Sequence, residues 1–326
     1  MITHRFGLSL SLILISLTAV FLSLSLGSVA IDSDSLFNLL TGAGTPLEHT
    51  IVFDLRLPRA LSAFAVGGLL ALAGALLQVL LRNPLADPYV LGVSGGASVA
   101  ALTALLLGWG TVWVSTGAFL GALFSMALVF GLSRSRGSWT PTRLLLTGVI
   151  VAAGWGALIS LLLSLSPDTH VRGMLFWLMG DMSYARHPLL GHVVLWVGLI
   201  LCLPMARSLN LLICGKLTAA SLGIQVGQLR LAIYVLSSVF TAAAVTLAGG
   251  VGFVGLIIPH MLRLISGNDH RRLLPHCVLL GGSFLVVADT LARTMMAPQQ
   301  LPVGVVTALM GVPIFLWLLG QGQQRQ

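Results

Sequence analysis

RSLNLLICGKLTAASLGIQVGQLR, residues Arg207 to Arg230, lies between two long apolar runs and carries Arg207, Lys216 and Arg230. Its apolar residues, Leu211, Leu212, Leu217, Leu222, Ile224 and Val226, alternate with small and polar ones, and Gly215, Gly223 and Gly227 interrupt it. That pattern predicts two short amphipathic helices with a glycine turn between them. Two uses fit such a connector. It is either a docking surface for a soluble partner on the cytoplasmic side or an interfacial loop resting on lipid headgroups.

The flanking runs decide the class. The 326 residues are 57% hydrophobic and 8% charged, with a mean hydropathy of +1.01. A soluble domain carries about a quarter charged residues. Too little polar surface exists here to cover a globule in water, which excludes an aqueous α/β enzyme. A crossing needs about 20 apolar residues, since ~30 Å of hydrocarbon is climbed at 1.5 Å per residue. The runs that fit are 6–27, 59–81, 89–108, 112–132, 143–166, 188–206, 231–250, 252–266, 273–295 and 301–319. The seventh and eighth are kept apart because 231–266 as one helix would be about 54 Å long. Gly249-Gly250-Val251-Gly252 supplies the break. The expectation is an all-α polytopic membrane protein of about ten spans, one transmembrane domain over residues 1–326.

Lys and Arg concentrate in cytoplasmic loops. With the N-terminus inside, twelve lie inside: Arg5, Arg82, Arg134, Arg136, Arg143, Arg207, Lys216, Arg230, Arg263, Arg271, Arg272 and Arg325. Five lie outside: Arg56, Arg59, Arg172, Arg186 and Arg293. Both termini are therefore expected inside. The formal charge of +8 follows from this topology. Its residues sit singly or in pairs rather than as a stripe, so nucleic-acid binding is not indicated. The first run exceeds the roughly 7–15 apolar residues of a signal peptide, so it is expected to be retained despite Ser28-Val29-Ala30. The polar stretches 28–58 and 207–230 are too short for a soluble core. Many of the 37 glycines suit close helix packing, as in Gly92/Gly96, Gly117/Gly121, and Gly304 with Ala308.

The chain has no GxxxxGK[ST], since Gly215-Lys216 lacks both the upstream Gly and the following Ser or Thr. Cys202, Cys214 and Cys277 are far apart, and the histidines sit mostly at run ends, so no metal site or disulfide is expected. Asp289 is the clearest carboxylate inside a run, with Arg293 one turn later. Ion-driven carriers keep such groups at mid-membrane despite about 2.5–3.5 kcal/mol per charge. Their scarcity argues against an ion-coupled secondary carrier. An integral-membrane transferase would need clustered His, Asp or Glu at an interface, and here they are scattered. What remains is a mostly apolar path for a bulky solute, driven from elsewhere. Arg56, Arg59 and Arg293 break the charge bias. They anchor to headgroups or pair with Asp54 and Asp289, or else form an electropositive rim for an acidic external partner. Met174, Met179 and Met182 are read as packing before adaptable cargo contacts.

Four motifs carry a resemblance. They are Arg56-Leu57-Pro58-Arg59; Asn83-Pro84-Leu85-Ala86-Asp87-Pro88 with Leu91-Gly92-Val93-Ser94-Gly95-Gly96-Ala97; Gly252-Phe253-Val254-Gly255-Leu256-Ile257-Ile258-Pro259-His260; and Leu301-Pro302-Val303-Gly304. Together, in order and over nearly the whole chain, they resemble the FecCD-type permeases of ABC importers for vitamin B12, iron-siderophores and haem. The resemblance implies a type II ABC importer permease, homodimeric in the bacterial inner membrane. It implies import of an iron-siderophore, haem or cobalamin from periplasm to cytoplasm. Two ATPase subunits would dock inside and a periplasmic binding protein outside. The chain itself would be no enzyme and hold no cofactor, with ATP and Mg²⁺ on the ATPase. By the same resemblance, Arg56, Arg59 and Arg293 face acidic residues of the binding protein. Asn83 and Leu85 match one cytoplasmic gate, and Pro141 and Thr142 the other. Gly215, Lys216, Thr218, Ala219, Ala220, Leu222 and Gly223 match the coupling helices that receive the ATPase. The pathway would run along the dimer axis, lined partly by the fifth and tenth spans. The chain departs from the pattern at Lys216, commonly acidic in the family, and at Pro141, polar in the B12 permease.

Overall fold

The computed structural model describes residues 2–27, 31, 32, 34, 38, 39, 44–134, 140–185 and 188–323. Ser28-Val29-Ala30, Arg136, Arg186 and Arg325 lie outside the described residues, as do the side chains of His4 and Arg5. Every element among the described residues is helical. In order they are α1 (Ile2–Ser25), α2 (Leu57–Leu81), α3 (Val93–Leu106), α4 (Thr111–Ser133), α5 (Pro141–Leu165), α6 (Asp168–Leu178) and α7 (Pro188–Cys202). Then follow α8 (Ala206–Cys214), α9 (Lys216–Ser221), α10 (Val226–Ala248), α11 (Val254–Ser266), α12 (His270–Thr294) and α13 (Val303–Gln323). Pro46–His49 and a π-helical turn, Thr50–Arg56, lead into α2, and a 3-10 turn, Pro88–Leu91, precedes α3.

Each predicted apolar run falls on a helix. Six are long and apolar enough to cross a membrane: those ending at Ser25, Leu81, Ser133, Leu165, Ala248 and Thr294. α7 and α8 qualify only as a pair bent by 62°. Val93–Leu106, Val254–Ser266 and Val303–Leu318 are shorter apolar helices. Their shortness has a local cause. Each starts after a break in the long helices: the 3-10 turn Pro88–Leu91, the turn Gly249–Phe253, and Met295–Pro302, exposed as far as Gln300.

α2 is the centre. It is apolar on all sides, and every residue from Ser62 to Leu80 is buried. Helices α12, α10, α11 and α7 enclose it. The enclosure depends on missing side chains. A Cβ on Gly67 would collide with the Gly281 carbonyl oxygen, and one on Gly281 would lie 2.6 Å from that of Gly67. Without a hydrophobic drive between helices in lipid, such backbone approach supplies the packing. Gly96 and Gly121 do the same for the α3–α4 hairpin. Gly304 instead packs on the carbonyls of Met179 and Gly250, against loops and not against a helix.

Non-helical backbone inside a bilayer must satisfy its own polar groups. Here the turns at Gly180–Asp181 and Gly249–Phe253, Tyr89 of the 3-10 turn and the start of α13 satisfy one another. Asp181 N donates to Ala248 O (2.9 Å) and Val303 N to Gly180 O (2.9 Å). Val251 N donates to the Tyr89 hydroxyl (3.1 Å). The break between α10 and α11 at Gly249–Phe253 stands where expected. Three histidines near run ends face protein groups. His270 and His276 are buried, His276 Nε2 shares a hydrogen bond with Ser9 Oγ (3.0 Å), and His192 Nε2 donates to Leu61 O (3.1 Å). One helix-to-helix bond reaches each of those two rings, and His276 Nδ1 stays buried without a hydrogen-bond partner. Arg263, counted above as a loop charge, lies on α11 and donates to Gln78 Oε1 of α2. Gln78 in turn donates to Leu256 O (3.1 Å). Met174 and Met182 are buried as packing, while Met179 is exposed.

Two outcomes follow. Gly281→Leu should cost about 3 kcal/mol by forcing α2 and α12 apart. Gly131→Leu, at a helical glycine with nothing within 4 Å, should stay within about 0.5 kcal/mol of wild type in the same thermal unfolding series in detergent. The second concerns Asp87, which caps the 3-10 turn by accepting from Tyr89 N (2.7 Å). Burial pushes its carboxyl up to about 6, against the opposing pull of that hydrogen bond. Its folded value lies above the unfolded one, so its contribution is fully present below about pH 4. It is lost as pH rises through about 6. Unfolding midpoints between pH 4 and 7 should show this loss in wild type and not in Asp87→Asn.

Candidate functional site

At one end of the fold the lead-in to α2 meets the last turns of α1 and α12. Asp289, fully buried, stands between two guanidiniums. Arg59 Nε lies 3.1 and 3.0 Å from its two oxygens, and Arg59 Nη2 donates at 2.9 Å. Arg293 Nε lies 3.2 Å from Oδ2, four residues along the same helix. Arg59 Nη1 also donates to Gln300 Oε1 (3.0 Å), and Arg293 Nη2 to Ser23 Oγ (2.8 Å). Arg56, 5% exposed, donates to Ser25 O (3.0 Å) and to Leu24 O. Its guanidinium lies over Gly27, where a side chain would collide with it. The pairing with Asp289 expected of Arg59 and Arg293 is therefore present.

The three arginines share a cavity of about 430 Å³ with Asp54, Ser183, Pro298 and Gln300. They form its wall, so the electropositive feature is a recess and not a projecting rim. One carboxylate lies between two cations, and a third cation is held by main-chain carbonyls. A walled excess of positive charge fits a carboxylate presented from outside, because guanidiniums bind carboxylates through short charge-assisted bonds.

At the other end lies the connector. α8 and α9 are the two predicted short helices, joined at Gly215 with φ +137°. That backbone conformation favours glycine. The buried face is Ala206, Leu209, Leu212 and Ala219. Lys216, Thr218, Ala220 and Gly223 are exposed. Leu217 is 84% and Leu222 60% exposed. Leucines turned outward on a six-residue helix serve no internal packing.

Asn210, which the sequence reading passed over, ties this connector to the body. Its Nδ2 donates to Asp269 Oδ1 (2.8 Å). Its Oδ1 accepts from His270 N (3.0 Å) and lies 2.7 Å from His270 Nδ1. The available signal was a lone amide within Leu209-Asn210-Leu211-Leu212. The Asn210 amide, chiefly, holds the Asp269 carboxyl below its usual range, aided by the Arg271 amide and the flanking guanidiniums.

The gate candidates stand at this same end. Asn83 Oδ1 accepts from Leu85 N (2.9 Å), closing the turn after α2, and Leu85 is exposed. Pro141 and Thr142 open α5, capped by Thr140 accepting from Arg143 N (3.3 Å). α5 leans on the 3-10 turn, with Gly148 against Val90 O. A second cavity, about 530 Å³ and mostly apolar, lies beside α13 between Met179, Gly250, Gly304 and Val312. Among the described residues no three His, Cys, Asp or Glu side chains group to hold a metal.

Comparison with known proteins agrees with this architecture. The FecCD transport family matches residues 13–321. The chain is 39% identical over 312 residues to the hemin transport system permease protein HmuU of Yersinia pestis, covering 93% of this chain and 92% of that one. It is 40% identical over 278 residues to the vitamin B12 import system permease protein BtuC of Vibrio vulnificus, covering 83% of each. A solved structure, described as an inward-facing conformation of a metal-chelate type ABC transporter, superimposes with a TM-score of 0.86 at 32% identity. It covers 98% of this chain and all of that one. The chain thus belongs to the FecCD transport family of membrane permeases.

Proposed function

We propose that this permease subunit is the conduit of an ATP-driven importer in a bacterial inner membrane, carrying an iron-siderophore, haem or cobalamin inward. Two copies form the pathway between them, with α5 and α13 facing the axis. The arginine recess receives acidic side chains of a periplasmic binding protein. Asn83, Leu85, Pro141 and Thr142 form the cytoplasmic gate. The segment Gly215 to Gly223 seats the ATPase chain that holds ATP and Mg²⁺.

The observation that carries this reading is the outward pair Leu217, on α9, and Leu222, just after it. The chain has no phosphate-binding loop of its own, and these leucines offer an apolar knob to a soluble partner. Exposed leucines at a docking face belong in a partner's pocket, where truncation costs most. The charge pattern agrees, since it puts the connector inside and the recess outside.

Coexpression with the cognate ATPase is the direct test. The two should copurify, and Leu217→Asp with Leu222→Asp should abolish the association while the permease still folds. Solute uptake by the purified chain alone, driven by an ion gradient, would sink the proposal. At the recess, Arg59→Glu should remove stimulation of ATP hydrolysis by the binding protein. Persistent stimulation would exclude docking at that end. Asp289→Ala leaves the buried Arg293 and the part-buried Arg59 guanidiniums without their carboxylate and should cost about 3–5 kcal/mol in detergent unfolding.

A further inference from the structure

One helix joins the two ends just described. α12 begins at His270, bonded to the connector, and carries Asp289 and Arg293 in its last two turns. At 1.5 Å per residue those points are about 29 Å apart. Between them α12 touches α2 backbone to backbone at Gly281 and Gly67. Close-packed main chains of that kind do not slide gradually, because interiors of this density transmit displacement instead of absorbing it.

The contact at the connector end has an uncommon form. The first amides of a helix lack partners within it. α12 fills two of these positions from Asp269 and Asn210. Asp269 Oδ1 accepts from Arg271 N (3.2 Å), while Asn210 Oδ1, from α8, accepts from His270 N. Asn210 Nδ2 is already given to Asp269, so its oxygen faces His270 Nδ1, and the bond between them takes its proton from the ring. His270 Nε2 is then a bare acceptor, buried without a hydrogen-bond partner. The ring is held from α8 by Asn210 and from its own lead-in by the Asn268 main chain. If α8 moves away, the His270 amide and ring both lose the Asn210 oxygen in a buried place. Such a contact is either made or lost, with no stable intermediate geometry.

The neighbouring α11 is anchored elsewhere. Its Arg263 bonds to Gln78 and lies 3.4 Å from Ala75 O, both on α2. Asn210 is thus a polar link from the connector to α12, beside the apolar packing of α8 on α12 and α2.

We infer that Asn210 is a positioning residue that couples the connector to the arginine recess, passing displacement of α8 through Asp269 and His270 into α12. This rests on the permease reading above and adds the route by which its two docking ends communicate. The recess end is built to respond. Asp289 sits on α12 and Arg59 on α2, so a shift of α12 changes the bidentate contact and the charge the cavity presents.

The test uses the permease–ATPase complex in liposomes, with the binding protein that stimulates the wild-type complex. ATP hydrolysis is read with and without that protein. ATPase copurification and the thermal midpoint of the permease are read beside it. In Asn210→Ala and His270→Ala the ATPase should still copurify, while the stimulation ratio falls by about fivefold or more. His270→Asn places an amide N–H where Nδ1 stood and should return the ratio close to wild type. An unchanged ratio in Asn210→Ala overturns the inference. So does a fall that tracks the thermal midpoint and is not rescued by His270→Asn, since that pattern marks a plain structural cap. If Asn210→Ala does not assemble, the His270→Ala and His270→Asn pair decides alone. A wild-type complex that neither retains an ATPase nor responds to any binding protein overturns the permease reading itself, and the inference with it.

Discussion

Enclosing α2 is the constraint that everything else accommodates. A helix buried from Ser62 to Leu80 has no polar side to offer water or lipid, so neighbours must reach it on every face. Lipid supplies no hydrophobic reward for that approach, so contact distance decides. Gly67, Gly74, Gly255 and Gly281 let main chains meet where side chains would hold them apart. The polar groups of α2 are confined toward its ends, Arg59 on Asp289 and Gln78 on Arg263. These two long-range pairs fix the register of α2 against α12 and α11, which van der Waals contact between small residues leaves loose. Buried charged groups are weak sources of net stability, and their attested use is to specify register. Here the same residues also define the chemistry of one mouth of the protein.

The arrangement at that mouth is asymmetric. One carboxylate serves two guanidiniums, and the third guanidinium rests on main-chain carbonyls at the end of α1. The cavity wall therefore keeps cationic character although each arginine is engaged. Fixed partners hold each guanidinium in place before any ligand arrives, which lowers the ordering cost of an encounter. The opposite mouth works through apolar surface, with leucines set on a short helix over a glycine hinge. Charge thus stands at one end of the protein and apolar surface at the other.

Much of this was legible from residues alone, for physical reasons. Run lengths, the glycine break at 249–252 and the glycine-punctuated connector are local properties, and local properties leave periodicity behind. The recess was partly legible because Arg56, Arg59 and Arg293 contradict the charge bias of the other loops. Other features depend on partners far away in sequence. Arg263 reads as a loop cation unless Gln78, 185 residues distant, is known to face it. His276 reads as an interfacial ring until Ser9 is placed beside it. Asn210 carries no signature, since an amide on a short helix looks alike whether it meets water or caps another helix. The runs over α3 and α11 extend past the helices because turn residues such as Tyr89, Val90 and Phe253 count as apolar whether or not they are helical.

The meeting of the turns at Gly180 and Gly250 with the start of α13 at Gly304 separates scaffold from upholstery. Its bonds run from main chain to main chain, and the side chains beside it, Met179, Val305, Leu309 and Val312, face an open cavity. Such a joint is insensitive to what those side chains are, provided the glycines stay. The residues lining that cavity are thus at liberty to change in bulk or polarity without disturbing the frame.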